Sequence, residues 1–358
     1  MEFSSLCNRL IIVFLFALCY SCLSAQALID HPNPIVDSIR ISQDIFEVET
    51  PARITLKLDI KAFAKKKYDD EYQKAELSYE FKEQGVTITN EVRIKARGNS
   101  RKKRCFFPPI KLNISKADVK NKYLEDTKTI KLVTHCKQSL TYETYILKEY
   151  LVYKLYNVIT PNSFRVRLLE VDYVDTGKKG KNVDTWAFLI EPEGMLAERL
   201  DMFNIKNNEL SQKYMEPEDM VRVSLFNYMI GNTDFSVNGR HNLKVLQPND
   251  VTQPLGIPVP YDFDYSGLVN ATYAVPYEGL GIKSVKERYY VGLCQNEASF
   301  ESILKEFLNK KEQLLKVVED FQYLEPRDKK YVINYLNEFF EEAKRPSFIS
   351  NHIKSTCL

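Results

Sequence analysis

A chain of 358 residues with 44% apolar side chains is long enough for one large or two modest domains with a real core. Its 50 basic and 48 acidic residues leave a net charge of +2, without the basic excess that marks a nucleic-acid partner. Four histidines, and no CxxC pair beyond residue 27, leave little material for zinc or histidine chemistry.

The chain opens on "MEFSSLCNRLIIVFLFALCYSCLSAQA", with Arg9, an apolar run from Leu10 to Cys19 and the A-x-A form Ala25-Gln26-Ala27. That run is short for a bilayer, so residues 1–27 read as a cleaved secretory signal rather than an anchor. A lipidated Cys22 fits less well, because Cys19-Tyr20-Ser21 precedes it. The mature chain is expected in the periplasm, at the cell surface or secreted, with no further membrane segment. Cys105, Cys136, Cys294 and Cys357 survive cleavage. Two disulfides are expected, with three pairings open.

Residues 34–60 alternate apolar and polar side chains, with Ile39 and Ile41, then Ile54, Leu56 and Leu58, at the period of half-buried strands. "AFAKKKYDDEYQKAE" reads as a charged connector, and "GVTITNEVRIKARGNS" returns to alternation. The first hundred residues are therefore expected to form a mostly antiparallel β layer. Arg97 to Ser100 reads as a turn and Arg101 to Arg104 as a solvated basic run. "IKLNI" and "TIKLVTHC" are two further strands. From Thr141 to Tyr156, apolar residues cover most of a helix, which predicts packing on two sides with Glu149 close to the buried stripe. "TWAFLIEPEG" is a strand ending at Glu191. Beyond it the pattern turns helical, with stripes at Phe300, Ile303, Leu304, Phe307 and at Tyr331, Tyr335, Leu336, Phe339.

Chemistry-bearing residues gather in "IGNTDFSVNGRHNLKVL" and "PVPYDFDYSG". Asp234 and Asn242 flank a loop holding Asn238 and Gly239, and Asp262 and Asp264 follow a proline-interrupted loop. Carboxylates and an amide oxygen are hard ligands that suit magnesium or calcium. Phosphoryl transfer needs a metal and a Lys on phosphate oxygens and a carboxylate on the acceptor hydroxyl. Lys111 is a candidate for that Lys, Glu149 for its partner, and Asp234 for the carboxylate. Asp and Asn in such loops also tie down backbone, so a structural role stands as the alternative.

The segments "RIKARGNSRKKRCFFPPIKLNI", "ILKEYLVYKLYNVITPNSFRVRLLEV", "FLIEPEG", "MIGNTDFSVNGRHNLKVL" and "PVPYDFDYSG" resemble, in order, motifs of the spore-coat protein H family of atypical secretory-pathway kinases. The resemblance runs from about Arg93 to Gly267. The whole chain also resembles a family of exported proteins from Bacteroidetes-type bacteria. The order of strands and helices reads as an α+β layout, and the kinase resemblance implies a two-lobe kinase-like fold, with 93–192 a β-rich N-terminal lobe and 193–358 a mainly helical C-terminal lobe; residues 28–92 read as a β-rich region that the resemblance does not explain. The resemblance implies ATP with magnesium and phosphorylation of Ser or Thr on an exported protein acceptor. Asp234 becomes the catalytic-loop Asp, Asn242, Asp262 and Asp264 the metal ligands, and Lys111 the phosphate Lys. Glu149, Arg97 and Glu191 are the remaining candidates for the nucleotide side of the site. The loop from Asp234 to Asn242 is longer than the family's, and Tyr261-Asp262 stands where the family has Trp-Asp. A catalytically silent binding module and a structural envelope protein are the alternatives.

Overall fold

The computed structural model describes residues 44–81, 86–114, 129–177, 180–206 and 210–358, all within one unit, Asp44–Leu358. The expected signal peptide and the strand expected at Ile39 and Ile41 lie outside the described residues.

Seven strands form a closed barrel in the order β1-β2-β3-β4-β5-β7-β6. They are β1 Ala52–Leu58, β2 Gln73–Phe81, β3 Val86–Ala96, β4 Ile110–Asn113, β5 Thr129–Val133, β6 Val166–Asp175 and β7 Val183–Ile190. Neighbours pair antiparallel except β1 with β6, whose parallel register Ala52↔Leu169 to Leu58↔Asp175 closes the sheet. The period-two pattern supplies the filling. Ile54, Leu56, Leu58, Val92, Ile94, Ile110, Leu112, Leu132, Val171 and Tyr173 point inward and are buried together.

The charged connector is in part helical. Helix α1, Ile60–Lys65, starts where Asp59 caps the Ala62 N–H and buries Ile60 and Phe63. The basic run is likewise helix α2, Asn99–Arg104, and Arg101 on it is buried. Helix α3, Leu140–Ile159, is apolar nearly all round and packs on β6 and β7 on one side. Its other side meets α7, Lys311–Asp320. Short α4, Glu193–Arg199, leads to β8, Met202–Asn204; α5, Pro217–Ile230, follows. β9, Leu243–Pro248, and β10, Ile257–Pro260, complete a three-stranded sheet ordered β10-β9-β8. Helices α6, Glu297–Asn309, and α8, Pro326–Ala343, bury the expected aromatic stripes.

The expected two-lobe kinase-like architecture is therefore corrected. Strands on both sides of residue 93 close a single barrel, and β3 runs through that position. The C-terminal part mixes a sheet with its helices. Val133, Val166, Leu168, Phe188 and Ile190, from the barrel's outer face, share one core with α3, α5 and α8. That continuous apolar packing leaves no division into a β lobe and a helical lobe. The four cysteines pair as Cys105–Cys136 and Cys294–Cys357, and no helix among the described residues is long and apolar enough to cross a membrane.

Candidate functional site

Asp262 is placed by two neighbours. The β9–β10 register sets Pro260 opposite Leu243, and the Tyr261 N–H donates to the Asn242 carbonyl at 3.0 Å. The Asp262 N–H donates to the Tyr153 hydroxyl of α3 at 2.9 Å. Phe263 is fully buried, its ring 4.8 Å from that of Tyr153, and fixes the residue from below. Asp262 itself is held at φ 65°, and Asn242 and Arg240 also have positive φ, at 48° and 54°. Such left-handed non-glycine residues cost stability and cluster at functional sites.

Three groups of side chains converge on Asp262. The first is buried. The Arg101 guanidinium reaches Glu149 at 2.6 Å through Nη2 and Asp264 at 2.8 Å through Nε. One cation thus serves two buried carboxylates, with Asp262 adjacent. Burial, opposed by Arg101 and reinforced by Asp264 and Asp262, pushes the Glu149 carboxyl up to about 8. Asp264 is raised for the same reason, burial first. Glu149 Oε1 is buried and has no hydrogen-bond partner. Glu149, Asp262 and Asp264 each offer an oxygen, and these atoms lie within 4.8 Å of one another.

The second group comes from the barrel wall. Lys131 of β5 is half-buried, its ammonium 4.3 Å from the Tyr261 ring centroid. Burial, then the charges of Arg97 and Lys244, push the amine down to about 7, while Asp262 and Glu193 pull it back. Lys244 is itself paired with Glu193 at 2.9 Å.

The third group is the loop after α5. Gly231 ends that helix at φ 67°, where a Cβ would run into the Tyr335 hydroxyl and the Val285 carbonyl. The chain then turns to Asp234. One carboxylate oxygen is 2.8 Å from His241 Nε2, and the other accepts from Asn242 Nδ2 at 3.0 Å. The hydrogen bond to Asp234 raises the His241 pKa, and Asp262 adds to it.

The structure thus clusters Glu149, Asp262 and Asp264, joins Asp234 to Asn242, whose carbonyl meets the residue before Asp262, and sets the charge of Arg97 where Lys131 and Tyr261 feel it. Lys111 lies one strand further out on the barrel wall, in register between Lys95 and Lys131. The partner of Glu149 is Arg101, not Lys111. Glu191 is buried in a separate network with Arg165 at 2.6 Å and Arg199 at 3.0 Å. Arg101, Lys131 and His241 are the site residues that sequence reasoning passed over. Lys131 had a signal, since Ile130-Lys131-Leu132 repeats the pattern of Ile110-Lys111-Leu112.

No protein-family profile matches the chain, and no curated protein matches it. Among solved structures it is similar to the Helicobacter pylori proinflammatory kinase CtkA, at 10% identity and a TM-score of 0.38, over 68% of this chain and 90% of that one. At that level the likeness assigns neither family nor activity.

Proposed function

We propose that this chain is an exported, magnesium-dependent phosphotransferase of the kinase type, which binds ATP and transfers phosphate to a Ser or Thr hydroxyl of an exported protein. The observation that carries the reading is the convergence on Asp262 of Lys131, the buried acids Glu149 and Asp264, and the Asp234–Asn242 loop. The two disulfides support the export part, since such bonds persist in oxidising compartments.

The donor set fits magnesium. The clustered oxygens are hard ligands, and the partnerless, buried Glu149 Oε1 is what a bound cation would satisfy. Glu149, Asp262 and Asp264 would hold the ion, which when bound supplies charge neutralisation on the phosphates. Lys131 meets the phosphate oxygens with its ammonium, and their charge returns its proton affinity toward the ordinary lysine range. Asp234, oriented by His241 and Asn242, accepts the hydroxyl proton as the acceptor oxygen bonds to the terminal phosphorus. The bond from that phosphorus to the bridging oxygen breaks, and ADP departs with the electron pair.

A second reading has its own observation. Arg101 already bridges Glu149 and Asp264, as it would in a purely structural ion-pair network. Thermal unfolding separates the two. With Mg-ATP the melting temperature is expected to rise by several degrees, and the rise to vanish with a chelator and in Asp262→Ala. Asp234→Asn should keep the rise and lose autophosphorylation. An unchanged melting temperature in the unmodified protein rejects the nucleotide reading in favour of the structural one.

A further inference from the structure

On β3, Val92, Ile94 and Ala96 fill the barrel, so Arg93, Lys95 and, just past the strand, Arg97 share its outer face. The register sets Lys95 opposite Lys111 and Lys111 opposite Lys131, so a row of lysines crosses three adjacent strands. Like charges directly opposite destabilise a sheet, and fold stability alone gives no reason to assemble this row.

The cations are held in place. Arg93 and Lys95 lie over the Tyr72 ring, at 5.6 Å and 5.2 Å from its centroid. Among the described residues, the acids paired on this side of the barrel are exposed. Glu91 is 3.8 Å from Lys74, and Asp70 is 2.9 Å from Lys95 and 3.9 Å from Lys102. Asp70 is 72% exposed at its side chain and has φ 55°. An exposed pair of this kind is weak, and an incoming anion can displace it. The anion seated on this face is the Asp70 carboxylate, so the face is complementary to negative charge.

Spacing narrows that chemistry further. Same-face side chains on a strand recur every ~6.8 Å, so Arg93, Lys95 and Arg97 match an extended peptide whose carboxylates stand at alternate positions. The row runs from the exposed Arg93 to Arg97, whose charge is felt by Lys131 and Tyr261 beside Asp262. We propose that the outer face of β3, β4 and β5 docks an extended acidic segment of a partner protein, with alternate carboxylates on Arg93, Lys95 and Arg97 and flanking ones on Lys111. Such a segment would lead a neighbouring hydroxyl to Asp234. That last role rests on the phosphotransfer reading, but the binding does not.

Fluorescence anisotropy on the full chain, without nucleotide, tests it. The probes are a labelled peptide of alternating Glu and Ser, and one of identical composition with its glutamates in a single block. The alternating peptide is expected to bind more tightly, and added salt to weaken it. Arg93→Glu/Lys95→Glu, checked for an unchanged melting temperature, should weaken it by at least about tenfold. Arg93→Gln/Lys95→Gln provides the milder second variant should the reversal of charge perturb folding. Equal binding of the two peptides, no binding of either, or binding unaffected by the variants overturns the proposal. So does inorganic polyphosphate binding where the alternating peptide does not, which would mark a phosphate-polymer surface. Because no nucleotide is present, a failure of ATP binding and a failure of docking are read separately.

Discussion

The lowered amine of Lys131 sets this residue apart chemically from Lys111, its neighbour across the β4–β5 ladder. A folded-state pKa near 7 means that protonation is disfavoured in the native surroundings, so the amine is largely neutral by pH 8. An amine-acylating reagent followed by peptide mass spectrometry should then label Lys131 with a rate that climbs through pH 7. Ordinary lysines climb only toward pH ~10. Mg-ATP should suppress the reaction at Lys131. A Lys131 rate that tracks the ordinary lysines contradicts both its burial and its place in the site. At this scale the sequence offered two equivalent choices. Ile110-Lys111-Leu112 and Ile130-Lys131-Leu132 have the same alternation and the same outward lysine. Only the strand order of the barrel, with β5 next to β7 and Tyr261 over Lys131, distinguishes them. Asp234, Asn242, Asp262 and Asp264 stood out because they interrupt otherwise apolar segments, a pattern that backbone-tying turn residues also produce.

At the scale of elements, the site depends on how α2 is seated. The Cys105–Cys136 disulfide ties the residue after α2 to the segment leaving β5. Arg101, on the inward side of α2, is thereby carried to Glu149 on α3 and to Asp264 after β10. Replacing Arg101 with Met leaves two buried carboxylates without their cation. A destabilisation of roughly 3–5 kcal/mol is expected in chemical denaturation. Arg101→Met/Glu149→Gln removes one stranded charge and should be less destabilised than the single variant. If the double variant is the weaker of the two, the ion pair is not what seats α2. The basic run from Arg101 to Arg104 gave no warning of this. Such runs usually stay solvated, and here Lys103 and Arg104 do. One buried member of a helical turn leaves no periodic trace in six residues. The long helices were readable because their apolar stripes repeat over several turns, as at Phe300 to Phe307 and Tyr331 to Phe340.

For the molecule as a whole, local pattern identified strands without saying how they close. Period-two alternation marks strands such as β1 and β4 as half-buried, but the parallel pairing of β1 with β6 joins segments more than a hundred residues apart. That contact turns an open layer into a barrel. The apolar outer faces of β6 and β7, covered by α3, then merge barrel and helices into one core. This architecture sets Lys131 of the barrel wall over the ring of Tyr261, the residue before Asp262 at the end of β10. The central claim is that Lys131 and Asp262 serve one metal–phosphate ligand. Electron paramagnetic resonance of Mn²⁺ added with ATP measures it most directly, comparing the unmodified chain with Asp262→Asn and Lys131→Met. The account predicts one bound Mn²⁺ per chain, loss of that signal in Asp262→Asn, and affinity weaker by at least about tenfold in Lys131→Met. Undiminished Mn²⁺–ATP binding in both variants would contradict it.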